Sequence, residues 1–502
     1  MNAREGGITK AELRRSIQLT LQVLLVLAPM LSARGWGQDL SSRINSDSLE
    51  IHIPDAHRYM FQLDNGIIGF MVADINATVV ELSAYVAGGF GDDRVQGSAE
   101  IMEQLFREGP CWMVPGSFER SMKRIGGSLS VSMGPEETKV VLTASPQHVR
   151  RALRIFSGIL REPCIRQDAL DSTRSLLAAR VAPGVTSGDA VAFVPDASMT
   201  TAIYLFERRV FAHHSYARLE DDEEFTRLRV KDVQDFYQRI FVPRNTILTV
   251  SGLFDPAELN TDLFQRFGDW QARKRHLLRT ATDIMRPEST QIIRYRSDVG
   301  QTHIVLGQDL PRVSPINWPV LEVLTYVLND SPVSRDSSTV TAVLKPQTRG
   351  PGTFAVQISS APGSGEALVH QVLERIRWFQ NEDVDQKQLS IAKESLIIDV
   401  LNSRFRDSHA IARTFAEEYA SRGDMGYMEA FPHLVARVTE ADVRRVAKRI
   451  LDPARMTAVI IEGTNKPGAR QGAFAGYFSS RRFASDSSIS TDGQTGVSAS
   501  SR

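Results

Sequence analysis

Several residue types that would point to a function are scarce in this chain of 502 residues. Only two cysteines occur, Cys111 and Cys164, which are too few for a disulfide framework or a cysteine-built zinc site. We expect two isolated, largely buried thiols, with a single bridge as the alternative. The 59 basic and 59 acidic residues leave no net charge, so nothing draws the protein to nucleic acid or to an anionic membrane.

A hydrophobic run long enough to span a membrane is also missing. The apolar stretch from Ile17 to Leu31 is shorter than the roughly 20 residues that a spanning helix needs. It follows basic residues and precedes Gly35-Trp36-Gly37, whose small residues fit a cleavage site. Residues 1–37 are therefore predicted to be a cleaved export signal, with an uncleaved anchor as the alternative. The mature chain is expected in the bacterial periplasm or outside the cell, without an integral membrane span.

The far end of the chain has a different composition. Residues 464–502 are dominated by serine, glycine, alanine, arginine and threonine. Such a segment buries too little apolar surface to offset the entropy lost on ordering, so we predict a disordered tail.

Between these two ends the sequence repeats itself. A helical pattern ending at Ile240, then Pro243 and an apolar run over 246–250, recurs as Ile450, Pro453 and a run over 456–461. Each matching pair lies 210 positions apart. Upstream, both halves show the same order of elements: strands at 128–133 and 139–144 with helices at 148–160 and 167–181, and strands at 339–344 and 354–359 with helices at 366–379 and 385–401.

The repeat predicts the fold class. Its period is too long for a solenoid and fits two similar units instead. We predict an α+β protein of two homologous domains of about 210 residues, 38–270 and 271–463, each with a mostly antiparallel sheet covered by helices on one face.

The first domain carries several short runs that together are similar to a known family. They are Asn65-Gly66, Gly88-Gly89-Phe90-Gly91-Asp92-Asp93, Leu105 to Gly109, His214-Ser215-Tyr216 and Val242-Pro243-Arg244-Asn245. In their order and spacing they resemble the pitrilysin/insulinase-type zinc metallopeptidases. The resemblance covers nearly all of residues 55–463 and implies the same duplicated α+β plan.

The same resemblance shows what this chain lacks. These enzymes carry an inverted zinc motif, His-x-x-Glu-His, and a Glu ligand on a later helix. Here the motif positions hold Glu100, Glu103 and Gln104, so the base position is kept and both histidines are gone. The downstream window, Leu176-Leu177-Ala178-Ala179-Arg180-Val181, contains no carboxylate. The resemblance therefore implies a family member that is not an enzyme, with zinc expected only in a partner chain.

The remaining candidate residues have ordinary alternatives. Glu100 and Glu103 are expected as a solvent-facing pair on an amphipathic helix, and a site for a hard cation is the alternative. His213 and His214 are expected to be loop or packing residues. By resemblance Arg335 is a candidate substrate-binding residue, although the position of a neighbouring family tyrosine holds Thr341.

Two classes of function follow. The first is a non-catalytic subunit that pairs with an active zinc-peptidase homologue in the bacterial envelope and contributes shape, charge and edge strands to a peptide-binding chamber. The second is a stand-alone binding or scaffold protein of a larger complex, pairing with itself or another protein. An active metallopeptidase with an atypical site is a third reading, which stoichiometric zinc in the purified chain would support.

Overall fold

The computed structural model describes residues 53–114, 116–178, 192–193, 198–217, 227–271, 284–297, 300–330 and 338–463. The predicted export signal (1–37) and tail (464–502) lie outside these ranges, as does Arg335. The predicted domain limits stay predictions. Within the described ranges, no helix is both long and apolar enough to cross a bilayer.

The first half of the chain alternates between strands and helices. Its strands are β1 (Met60–Gln62), β2 (Ile68–Ala73), β3 (Val80–Ala87), β4 (Ser128–Met133), β5 (Glu137–Ala144), β6 (Ala192–Phe193) and β7 (Thr246–Gly252). Its helices are α1 (Ser98–Arg107), α2 (Ser117–Arg124), α3 (Val149–Arg161), α4 (Gln167–Ala178), α5 (Met199–Val210), α6 (Val230–Ile240) and α7 (Pro256–Phe267). The predicted strands and the first predicted helix agree within two residues. The helix predicted over 167–181 is described as far as Ala178.

The second half follows the same order. Its strands are β8 (Gln291–Arg296), β9 (Thr302–Leu310), β10 (Thr339–Lys345), β11 (Gly352–Ser360) and β12 (Thr457–Glu462). Its helices are α8 (Trp318–Asn329), α9 (Gly365–Asn381), α10 (Gln386–Phe405), α11 (Ser408–Arg422), α12 (Tyr427–Ala436) and α13 (Glu440–Ile450).

The two six-stranded sheets have the same arrangement of strands except at one edge, where β1 pairs antiparallel with β2 but β6, which comes from the first half, pairs parallel with β8. The first has the order β1-β2-β7-β3-β5-β4, and the second has the order β6-β8-β12-β9-β11-β10. In both sheets one central pair is parallel, β2 with β7 and β8 with β12, whereas the pairs on the far side are antiparallel. The predicted α+β fold with two homologous, mostly antiparallel sheets is confirmed.

The repeated aspartates have a local structural reason. Asp232 accepts a hydrogen bond from the backbone N–H of Arg229 at 2.9 Å, and Asp442 does the same for Thr439 at 3.2 Å. Each therefore satisfies a donor at the first turn of its helix, α6 or α13. The two matching aspartates therefore have the same role at the start of the two repeated helices.

The central strands are buried on both faces, which the one-face prediction missed. Every residue of β7 and of β9 is buried. One face of each sheet packs on helices of its own half. The other face packs on a helix from the opposite half, since α5 covers β9 and β12 while α11 covers β2, β3 and β7. In these contacts Phe206 of α5 lies with Val305, and Phe415 of α11 lies 5.7 Å from Phe70 between ring centroids.

The two cysteines form a disulfide, so the expectation of isolated thiols is wrong. Cys111 and Cys164 have Cα atoms 4.2 Å apart although 53 positions separate them. The segments after α1 and before α4 run antiparallel, with an isolated bridge between Pro110 and Pro163. This pairing of two distant loops brings the thiols together, and sequence spacing alone carries no sign of it.

Candidate functional site

The degenerate motif lies on α1, which is anchored at its beginning by a carboxylate. Gly97 precedes the helix in a left-handed conformation, with φ of 91°. The Asp93 carboxylate accepts hydrogen bonds from the N–H groups of Gly97 and Ala99 at 3.0 and 3.1 Å. Burial, and next the negative charge of Glu100, raise the pKa of Asp93 well above its usual value. The Asp-rich run before α1 therefore sets where the helix begins.

Glu100 and Glu103 do not form the expected solvent-facing pair. Glu100 is only 9% exposed, and the Glu103 side chain is 17% exposed. The expectation failed because α1 packs against β4, α4 and α6, which leaves little of its surface in water. An amphipathic pattern identifies one buried face, but it does not show that the opposite face is also covered.

Glu103, at the former base position, makes a structural ion pair. Its Oε1 lies 2.8 Å from Nη2 of Arg107, one helical turn further along α1. The same guanidinium donates to the main-chain carbonyl of Val131 on β4. A carboxylate held in this way is directed along its own helix, so the position that would activate water now orients an arginine.

Among the described residues, the surroundings of α1 supply no cluster of metal ligands. Gln104 is half-buried, and the neighbouring helix α4 presents the hydroxyl of Thr173, which donates to Glu108 at 3.4 Å. Within the described part of the chain, no three His, Cys, Asp or Glu side chains lie close enough together to hold a metal ion. The downstream window is described only to Ala178, and residues 179–181 lie outside. A neutral amide beside two carboxylates is a poor donor set for zinc.

The glycine-rich run after β3 joins the two halves. Asp92, which is 1% exposed, accepts two hydrogen bonds from the Arg349 guanidinium at 2.8 and 2.7 Å. Gly89, two positions before Gly91, lies against the backbone of Gly134, where a Cβ atom would collide. The chain therefore passes close to the β4–β5 turn and presents Asp92 to the second half.

Glu136, in that turn, is the centre of the same contact. Its carboxylate accepts hydrogen bonds from the backbone N–H groups of Thr348, Arg349 and Gly350 at 2.7, 2.8 and 2.7 Å. The Thr348 hydroxyl donates at 2.6 Å, and the Tyr216 hydroxyl also donates to it. Burial alone would raise the pKa of Glu136, but the hydrogen bonds from Thr348 and Tyr216 outweigh it and lower that pKa.

We refer to Asp92, Glu136, Tyr216 and the turn 348–350 as the inter-half latch. The sequence analysis did not predict it, although Asp92 and Tyr216 lie in runs that carried the family resemblance. The acidic residue after Gly134-Pro135 and the Arg349-Gly350-Pro351-Gly352 turn were the available signals. In this chain those runs fasten the two halves together.

The paired histidines follow their expected role. His213 and His214 lie in the turn after α5, and His213 has φ of 66°. His214 is buried, and its Nδ1 accepts a hydrogen bond from the Tyr216 N–H at 3.1 Å. Its ring packs edge-on against Tyr216, with centroids 4.5 Å apart. It thus supports the tyrosine of the inter-half latch.

Comparison with known proteins confirms the resemblance. Residues 227–396 match the family described as the peptidase M16 inactive domain. A protease from Helicobacter pylori has a similar structure, with a TM-score of 0.67 and 18% identity over 80% of this chain and 98% of that one. A peptidase M16 inactive domain from Pseudomonas fluorescens gives 0.64 and 15% identity over 81% and 98%. These likenesses establish the fold. No protein of curated function matches the sequence significantly.

Proposed function

We propose that this chain is a non-catalytic subunit of a peptidase complex, because residues 227–396 match the family described as the peptidase M16 inactive domain. It would pair with an active zinc-peptidase homologue in the bacterial envelope and form one wall of a peptide-binding chamber. The zinc would belong to the partner. Peptides or unfolded protein segments would be the ligands, and nucleic acid would not.

The observation that supports this proposal most strongly is the ion pair that Glu103 makes. The chain keeps the fold and the residue at the base position, yet both histidines are replaced and Glu103 pairs with Arg107 at 2.8 Å. Loss of the ligands removes the Lewis acid that such hydrolysis needs. The inter-half latch joins the two halves into one body, which supports a role that depends on the shape of the molecule.

The disulfide supports a location outside the cytoplasm. Disulfides such as Cys111–Cys164 persist in oxidising compartments, including the bacterial periplasm. The pattern of residues 1–37, predicted to be an export signal, points the same way. Periplasmic localisation is therefore part of the proposal, to be tested by fractionating cells that express the full chain.

Co-expression with a homologue that carries an intact zinc motif tests the pairing. We expect a stable heterodimer by size-exclusion chromatography. Separate elution, with the present chain alone or as a homo-oligomer, would contradict the proposal and favour the stand-alone scaffold.

Arg335 can be tested in the same complex. Arg335→Ala is expected to raise KM for a quenched-fluorescent peptide with the heterodimer still formed. Arg312→Ala, at a position outside the inter-half latch, serves as the matched control. Equal KM values for the two variants would show that Arg335 is an ordinary loop residue.

A further inference from the structure

Strand β4 lies at the edge of the first sheet, next to α1. The N–H of Gly134 donates to the Glu137 carbonyl at 2.8 Å, and the register places Val131 opposite Val140. Hydrogen-bonded and non-hydrogen-bonded pairs alternate along an antiparallel ladder. Counting back from the turn, Val131 falls in a non-hydrogen-bonded pair. Its N–H and C=O therefore point away from β5, toward the edge of the sheet.

The pairing of β5 with β3, its other neighbour, leads to the same conclusion about the backbone groups of Val131. The N–H of Gly88 donates to the Glu136 carbonyl at 2.7 Å, just beyond the paired residues of β3 and β5. By the same alternation, the backbone groups of Val140 face β3 and so do not bond to β4. Two independent hydrogen bonds thus place the Val131 carbonyl at the sheet edge.

The side chain of Arg107 is hydrogen-bonded to that carbonyl. Its Nη2 donates to the Val131 oxygen and lies 2.8 Å from Oε1 of Glu103. The two side chains are 29% and 17% exposed, so water screens their attraction less than that of a fully exposed pair. Glu103 therefore holds the guanidinium over the middle of the edge strand.

We propose that the Glu103–Arg107 pair closes the edge of β4 to main-chain pairing with an extended peptide. A peptide that adds to a sheet must bond to the outward N–H and C=O groups of the edge strand. Charged side chains placed over an edge are a known protection against such pairing. A peptide would have to displace Arg107 to reach Val131.

The test compares three variants of the full mature chain. Arg107→Ala removes the blocking group, and Glu103→Gln leaves Arg107 in place without its ionic anchor. Arg445→Ala is the matched control, because Arg445 forms an i,i+3 pair with Asp442 at 2.8 Å on α13. The probe is a fluorescein-labelled peptide of alternating threonine and valine with lysine ends. Its binding is measured by fluorescence anisotropy, and hydrogen exchange is followed over residues 128–133.

We expect Arg107→Ala to bind the probe at least about tenfold more tightly than the unaltered chain, a difference of about 1.4 kcal/mol. Exchange over 128–133 should slow when the probe is bound. Glu103→Gln should give a smaller increase, and Arg445→Ala none. The proposal is overturned if the unaltered chain binds as tightly as Arg107→Ala with the same protection. It is equally overturned if neither Arg107→Ala nor Glu103→Gln binds the probe more tightly while both variants melt like the unaltered chain. If Arg107→Ala does not fold, the affinity of Glu103→Gln for the probe tests the proposal alone.

Discussion

The two halves of the molecule share the order of five strands in their sheets but contribute differently to the contacts that join them. Each half contributes one helix that packs on the sheet of the other half, α5 on the second sheet and α11 on the first. Each donated helix carries an ion pair to that sheet, Glu207 with Lys345 at 2.7 Å and Glu417 with Lys139 at 2.9 Å. The inter-half latch adds two buried carboxylates, Asp92 and Glu136, which both belong to the first half. The duplicated fold is therefore one interlocked unit.

Breaking the inter-half latch should have the largest effect. Glu136→Gln places an amide against three backbone N–H donors of the second half, so we expect a loss of about 3–5 kcal/mol in the free energy of unfolding. Urea denaturation at neutral pH measures it. Because the folded-state pKa of Glu136 is lowered, its contribution is complete above the unfolded value and is lost as pH falls through the folded one. The difference between variant and unaltered chain should shrink in acid.

A control variant separates the loss of the inter-half latch from the general effect of losing a carboxylate. Glu258→Gln removes one partner of an exposed pair with Arg150, whose side chains are 66% and 65% exposed. We expect a change within about 0.5 kcal/mol. If both variants lose the same stability, the latch does not hold the halves together.

The disulfide belongs to the first half alone, so its removal should affect that half more than the other. Cys111→Ser combined with Cys164→Ser should cost about 2–4 kcal/mol, since a loop closed over 53 positions is released in the unfolded chain. Hydrogen exchange should rise first in α1 to α4. Equal loosening of α8 to α10 would show that the two halves respond as one body to this bond.

A buried carboxylate in the second half, Glu322, should have the opposite effect to Glu136 on how stability depends on pH. Burial raises the pKa of Glu322, on α8, to about 7. The folded state therefore binds a proton more tightly than the unfolded state, and stability from this group falls as pH rises from about 4.5 to 7. Glu322→Gln should stabilise the protein at pH 8 by on the order of 1–2 kcal/mol and much less at pH 5. Melting temperatures at the two pH values test this, and equal shifts would contradict it.

The smallest expected difference lies between the two helix-to-sheet ion pairs. Lys139 is 15% exposed and also lies 3.2 Å from Glu137, whereas Lys345 is 43% exposed. Glu417→Gln should therefore cost about 1–2 kcal/mol and Glu207→Gln less than about 1 kcal/mol, because water screens the more exposed pair. Urea midpoints compare the two variants directly. A larger loss of stability from Glu207→Gln than from Glu417→Gln would contradict this ranking of the two ion pairs.

The sequence predicted the architecture because the duplicated pattern is local. Alternation over 128–133 and the helical pattern ending at Ile450 depend on neighbouring residues, so strands and helices agree closely with the structure. The absence of the zinc motif could also be read directly at Glu100 to Gln104. Both conclusions rest on residue type and spacing alone.

What the sequence did not predict depends on contacts between distant segments. The exchange of α5 and α11, the Cys111–Cys164 bond and the burial of Glu100 all arise when remote elements meet. A carboxylate such as Glu136 looks like an ordinary turn residue until the turn 348–350 is placed against it. Each of these features required the three-dimensional arrangement.

The proposed pairing predicts a change in the hydrolysis rate of a zinc-bearing homologue when this chain is added. With a quenched-fluorescent peptide as substrate, we expect the rate to rise with added chain and to saturate at equal amounts of the two proteins. The chain alone should show no hydrolysis and no stoichiometric zinc. Hydrolysis by the purified chain with one bound zinc per molecule, or a homologue whose rate does not respond to the chain, would show that this protein is not a non-catalytic partner subunit.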